Sequence, residues 1–186
     1  MTSVFVAGSR KIGRLNDQIR RRLNNLIVQN YRILVGDANG VDRAVQAFLR
    51  DHAYRDVVVY CSGKVCRNNV GDWTSFNVQV DTNLKGREFY AHKDKKMAED
   101  ADYGLMIWDG KSSGTICNVL ELLKRNKKSL VYFSPDHSFI PISTLNEVEQ
   151  LIRKCSPEDI AEISKKIKLK TQLSQVATSA QGALEI

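Results

Sequence analysis

Proline is scarce in this 186-residue chain, with three residues, as are tryptophan with two and histidine with three. So few prolines exclude a proline-rich linker or low-complexity tract. His52, His92 and His137 share no metal-ligand spacing with each other or with a cysteine pair. The four cysteines, Cys61, Cys66, Cys117 and Cys155, are scattered. In a chain of this size they read as reduced thiols rather than a disulfide framework. Cys61 and Cys66 could supply half a zinc site, but Cys117 and Cys155 do not complete it, so no metal is expected. Long apolar runs are also lacking: none approaches the roughly 20 residues that span a bilayer. The N-terminus enters a strand-like run without a basic leader, so the expected compartment is the cytoplasm, with no membrane partner.

What is present is ordinary globular material, 42% hydrophobic and 26% charged, enough for one domain with a sizeable core. The net charge is +7. From Cys155 onward, Lys165, Lys166, Lys168 and Lys170 cancel Glu158, Asp159, Glu162 and Glu185, so the excess belongs to the preceding body. A basic body suits a phosphate-bearing partner, nucleotide or nucleic acid.

Short apolar runs at Val4–Ala7, Tyr31–Val35, Val57–Tyr60, Leu105–Trp108 and Leu130–Phe133 read as buried strands. Between them, helical spacing recurs: Ile19, Leu23, Leu26 and Ile27 behind a cap at Asn16 or Asp17, then Val41–Ala53, Gly86–Asp100 and Thr115–Arg125. The alternation predicts an α/β fold, a Rossmann-like doubly wound and mostly parallel sheet of about five core strands with helices on both faces. The Asn/Gly/Asp-rich stretch 62–84 interrupts it, with Phe76–Val80 an extra strand or part of a lid. Leu145–Lys154 and Pro157–Ile167 read as late helices, and Thr171 onward as a frayed tail. The expected division is a nucleotide-binding domain at 1–154 and a C-terminal helix with flexible tail at 155–186.

In such sheets ligands bind at the carboxyl ends of the strands, where strand order reverses. Three loops fall there: Gly8-Ser9-Arg10, Gly36-Asp37-Ala38-Asn39-Gly40-Val41-Asp42, and Asp109-Gly110-Lys111-Ser112-Ser113-Gly114-Thr115. Each runs from a strand into a helix start, where amide N–H groups and the helix dipole favour an anion. The hydroxyls of Ser9, Ser112, Ser113 and Thr115 and the Arg10 guanidinium could add hydrogen bonds. Neither a dinucleotide fingerprint nor a P-loop is present. Trp108 reads as core packing, Trp73 and Tyr90 as candidates to stack on a base, and Cys117 as an inert thiol. Lys93, Lys95 and Lys96 read as a solvated helix face. Asp42 suits helix-cap chemistry, while Asp37 is the more exposed to the expected site.

GSR after the first strand, GDANGVDRAV after the second and KKMAEDADYGLMIWDGKSSGT before the later helix together resemble the SLOG superfamily. These are Rossmann-like domains related to DprA and the LOG phosphoribohydrolases, and this sequence is most similar to the small stand-alone, YspA-like branch. The resemblance spans roughly Val4 to Phe133. It implies a nucleotide or nucleotide-derived ligand, with phosphate held by the GSR and SSGT loops and base or ribose beside GDANGVD. The implied phosphate or nucleotide contacts are Gly8, Ser9, Arg10, Gly36, Asp37, Asn39, Gly40, Asp42, Lys93, Asp109, Gly110, Ser112, Ser113, Gly114 and Thr115. LOG enzymes carry a catalytic glutamate where this chain has Asn118, and an arginine where it has Lys93. An amide cannot replace a carboxylate base, and lysine lacks the bidentate fork. Glu88 and Asp37 stand beside Asn118 as catalytic candidates.

The expectation is a ligand sensor, a sequestering module, or an enzyme acting on nucleotides, with N-glycosidic hydrolysis the natural chemistry. The alternative partner is nucleic acid, bound as by DprA. No cofactor is expected, and a homo-oligomer is left open.

Overall fold

The computed structural model describes residues 1–81, 83–84 and 86–182. Strand β1 (Ser3–Gly8) leads through helix α1 (Asp17–Val28) to β2 (Arg32–Gly36), and α2 (Val41–Asp51) leads to β3 (Val57–Ser62). Strand β4 (Thr74–Val78) follows, then α3 (Gly86–Asp100), β5 (Tyr103–Trp108), α4 (Ser113–Leu123) and β6 (Ser129–Phe133). A short 3₁₀ turn at Ser134–Asp136 precedes β7 (Ser138–Ile142), and helices α5 (Leu145–Ile152), α6 (Pro157–Ile167) and α7 (Leu169–Gly182) end the description.

All seven strands form one sheet in the order β4-β3-β2-β1-β5-β6-β7, parallel except for the β6–β7 pairing. The fold is therefore the expected α/β, Rossmann-like architecture, with two more strands than the five apolar runs announced. Strand β4 is a mostly polar, exposed edge whose Phe76 stacks on Tyr60 at 5.1 Å between centroids. Strand β7 carries Pro141, which an edge tolerates. Neither could advertise itself through a buried apolar run.

Period-two alternation builds two apolar layers. In β1, Val4 and Val6 join a cluster with Ile19, Leu23 and Leu26 of α1 and Val45, Phe48 and Leu49 of α2. Phe5 and Ala7 point to the other face, with Met97 of α3 and Ile116, Val119 and Leu120 of α4. Helices α6 and α7 join that second layer through Ile163, Ile167, Leu169 and Val176. The segment from Thr171, expected to fray, is thus helical to Gly182, and its Leu173 and Val176 pack into the second layer. Among the described residues, no helix is long and apolar enough to cross a membrane.

Helix starts follow local chemistry. Asn16, one of the two expected caps, accepts from the Ile19 amide. Thr144 and Glu147 form a capping box on α5, and Ser156 with Pro157 opens α6. The expectation of free thiols fails for one pair: Cys61 and Cys66 are disulfide-bonded, with Cα atoms 5.1 Å apart. Cys61 lies in the buried second half of β3, and the following turn returns Cys66 to it, a proximity that linear spacing does not disclose. Cys117 and Cys155 are not disulfide-bonded.

Candidate binding cleft at the strand-order reversal

Strand order reverses between β1 and β5, so the loops leaving their carboxyl ends diverge and open a crevice. Two hydrogen bonds stitch these loops together. The Ser9 amide donates to the Ile107 carbonyl (2.9 Å), and the Asp109 amide donates to Ser9 Oγ (3.0 Å). Ser9 is fully buried, so it frames the crevice rather than facing it. The loop after β2 is tied in by the Val41 amide, which donates to the Ser9 carbonyl (3.3 Å). Gly40, at φ +82°, brings its Cα against the Arg10 backbone, where no side chain fits.

The cleft encloses about 890 Å³. Gly8 and Arg10 form part of one wall, Glu88, Tyr90 and Lys93 of α3 another, and Ser112 to Thr115 with Asn118 a third. Asp42 and Asp109 reach it as well. Gly36, Asp37, Asn39 and Gly40 shape the loop behind the wall, and Gly110, at φ +80°, turns toward Phe133 and Cys155.

Helix α4 points its N-terminus into the crevice. Its N-cap, Ser112, makes no side-chain cap among the described residues, and its first turn holds no acidic residue. Asp109 Oδ1 instead accepts from the amides of Lys111 (2.9 Å) and Ser112 (2.8 Å), fixing the preceding turn. Thr115 is 2% exposed, and its hydroxyl finds no hydrogen-bond partner among the described residues. A buried hydroxyl in that state carries an unrecovered desolvation cost. Gly114 is a second anomaly: a methyl there would meet only Ser112 Oγ, at 3.9 Å. The protein itself does not demand glycine at this point.

Behind this wall lies a charged cluster. The Lys93 ammonium, expected on a solvated face, is buried and pairs with Asp94 at 2.7 Å. Burial lowers its pKa, but Asp94 and Asp42 outweigh that effect and hold it above the usual lysine value. A methyl on Gly36 would collide with Asp42 Oδ2 and Lys93 Nζ, so glycine there makes room for the two charges. Asp42 accepts from the Ala38 amide (3.2 Å), and burial, opposed by Lys93, pushes its carboxyl up to about 6.

Asp37, expected to face the ligand, does not. It is 1% exposed and receives three hydrogen bonds from Arg67: the amide and Nε to Oδ2, each at 3.1 Å, and a terminal nitrogen to Oδ1 at 2.5 Å. Burial pushes its carboxyl up, but those bonds, together with the Lys93 charge, hold it below the ordinary range. Asn68 closes the same loop, donating to the Asp37 carbonyl (2.7 Å) and to Asn39 Oδ1 (3.1 Å). Trp73 also departs from its expected stacking role: it is buried and donates its indole N–H to the Tyr54 carbonyl (2.9 Å). Tyr90 lies in the cleft, with the guanidinium carbons of Arg67 at 4.0 Å and Arg10 at 5.4 Å from its ring centroid. Trp108 is fully buried in the core, as expected.

Several wall residues escaped the sequence reading. Lys11, Glu162, Lys166 and Lys168 reach the cleft, the last three because α6 and α7 fold back beside α4. Glu121 also lines it, although its carboxylate is paired with Arg125 (2.7 Å) and Lys124 (3.0 Å). Among the described residues, no group of three His, Cys, Asp or Glu side chains is placed to hold a metal ion. Compared with known proteins, the chain matches no protein-family model and no curated protein.

Proposed function

We propose that the β1/β5 cleft binds a phosphate-bearing small molecule, a nucleotide or nucleotide derivative, as the resemblance to SLOG domains suggests. The observation that carries the reading is the buried, unpartnered Thr115 hydroxyl in the first turn of α4. A phosphate oxygen at this helix start would accept from that hydroxyl and from first-turn amides, in the favourable field of the helix dipole. Arg10, on the opposite wall, would supply a charge-assisted contact. Gly114 would let the backbone approach the anion without an intervening methyl. The base or ribose would lie toward Tyr90 and α3.

The same walls support a second reading, in which the ligand is also processed. Asp42, with its carboxyl pushed up to about 6, is suited to exchange a proton near neutrality. Glu88 is another carboxylate of the wall, whereas Asn118 contributes only an amide. N-glycosidic cleavage would therefore depend on Asp42 or Glu88 rather than on the residue at the LOG glutamate position.

Thermal unfolding with a panel of nucleoside mono- and diphosphates tests both readings. Stabilisation by nucleotides, and competition by inorganic phosphate, are expected. Stabilisation by nucleosides with no dependence on phosphate would remove the anion from the cleft. Chromatography of the incubated mixtures for free base distinguishes binding alone from cleavage.

A further inference from the structure

Cys61 is fully buried within β3, whereas its partner Cys66 is half-buried on the following loop. The intervening turn passes through Gly63, at φ +83°, whose amide donates to the Val78 carbonyl (3.1 Å). A bridge between residues only five apart closes a very short loop. Its loop-closure effect on global stability is correspondingly small, so its main consequence is local. The next residue along the chain is Arg67. Its guanidinium donates two hydrogen bonds to Asp37, its backbone amide donates a third, and the guanidinium lies over Tyr90, the ring that also faces Arg10. A contiguous path therefore runs from the disulfide through Arg67 and Tyr90 to the anion-facing wall.

We propose that Cys61–Cys66 is a reversible thiol-exchange site for a dithiol reductant, and that its reduction releases Arg67 and loosens the cleft toward its anion. The second half rests on the cleft reading given above. A thiolate of the dithiol attacks Cys66 Sγ, the more accessible sulfur. A mixed disulfide forms, the Cys61–Cys66 bond breaks, and Cys61 leaves as a thiolate that takes up a proton. The reductant's second thiolate attacks its own sulfur in the mixed disulfide and expels the Cys66 thiolate, which is protonated in turn. Two electrons and two protons have then passed to the protein, and the dithiol has become a disulfide. Both thiols have acceptors in place: Cys61 Sγ is 3.8 Å from the Val59 carbonyl, and Cys66 Sγ is 3.9 Å from Asn77 Oδ1.

The test compares the oxidised full chain with the same chain treated with dithiothreitol, using inorganic pyrophosphate as the cleft probe. Reduction should speed amide hydrogen exchange across residues 63–70 and weaken pyrophosphate binding by roughly fivefold or more, the loss of about one well-made hydrogen bond. Reoxidation should restore both. Arg67→Ala in the oxidised chain should reproduce the affinity loss and remove its dependence on reduction. Cys66→Ser, which spares the buried Cys61, should behave as permanently reduced. Unchanged exchange after thiol titration has confirmed reduction would overturn the proposal. So would a bridge that resists dithiothreitol until the whole chain unfolds. Faster exchange with unchanged pyrophosphate affinity would overturn the coupling to the cleft. If pyrophosphate stabilises neither form, the cleft reading fails and takes the coupling with it, while exchange still decides whether reduction frees the loop.

Discussion

Asp37 and Asp42 sit on the same strand-to-helix connection and are almost equally buried, yet their environments push them in opposite directions. Asp37 is enclosed by its own partners: Arg67 meets both oxygens, and the carboxyl is held below its ordinary range. Asp42 accepts the Ala38 amide and shares the neighbourhood of Lys93 with Asp94, and its carboxyl is pushed up to about 6. The first is a completed structural ion pair. The second belongs to a wall with unmet hydrogen-bonding capacity, as the Thr115 hydroxyl does. Burial is common to both sites, so burial alone does not mark a functional group. The number of donors that come with it does.

The largest effect should come from breaking the completed side. Asp37→Ala removes the acceptor of three hydrogen bonds and leaves Arg67 half-committed to a partner it no longer has. Arg67 keeps a third of its side chain in water, which moderates the penalty for a broken buried pair. Denaturant unfolding should show a loss of about 2–3 kcal/mol. A loss below about 0.5 kcal/mol would mean that Asp37 is not the structural anchor its contacts suggest. Its acid dependence has a definite sign. A depressed folded pKa contributes stability above the ordinary carboxylate value, and that stability is lost as pH falls through the folded value.

On the open side, Arg10→Ala should leave the fold nearly unchanged, because Arg10 is exposed and contributes little packing. It should weaken nucleotide binding by about 1.5–3 kcal/mol, roughly 10- to 150-fold. Titration at two salt concentrations separates this from the nucleic-acid alternative. There Arg10 would be one charge among many, and its loss would reduce the salt slope by about one unit while most affinity survived.

Asp42→Asn sharpens the contrast through pH. A carboxyl raised to about 6 binds its proton more tightly in the folded state than in the unfolded one. Its contribution to stability is therefore fullest below about pH 4 and declines as pH rises to about 6, by about 2 kcal/mol. That slope is opposite to the slope from Asp37. Stability measured from pH 4 to 7 should fall less steeply in Asp42→Asn than in the parent chain. Parallel curves would show that the Lys93 cluster does not titrate through Asp42.

Much of this arrangement could be read in the sequence, for a physical reason. Buried parallel strands must be apolar, so the five central strands stood out as Val-, Ile- and Leu-rich runs. The loops that follow them must turn tightly, so they carried Gly8, Gly36 and Gly110. The edge strands β4 and β7 are half solvated and interrupted by polar residues or Pro141, and so lacked that signal. The loops that build the crevice were identified, but the direction of each side chain was not. Asp37 looked available because Arg67, thirty residues away, comes from an Asn-rich stretch with no recognisable period. Lys93 looked solvated because its helix is charged on more than one face. Lys166 and Lys168 were set apart with the C-terminus, and only the packing of Ile163, Ile167 and Leu169 carries them to the cleft. Contacts of long sequence separation decide all three cases.

The smallest effect is also the most discriminating. Thr115→Val replaces the unpartnered hydroxyl with a methyl of similar size on a similarly branched side chain, in a site already 2% exposed. In the free protein this removes a polar atom that has paid desolvation without a hydrogen bond in return, so stability should hold or rise by up to about 1 kcal/mol. In the liganded protein it removes a donor to the anion, and phosphate-dependent stabilisation should drop by about 0.5–1.5 kcal/mol. Few structural roles give opposite signs for the two measurements. A hydroxyl that merely caps its own helix would cost stability when removed and would leave ligand affinity alone. Thermal unfolding of Thr115→Val with and without pyrophosphate reads both quantities in one experiment. Destabilisation of the free chain with undiminished response to pyrophosphate would assign the hydroxyl to the fold and take the anion away from the start of α4.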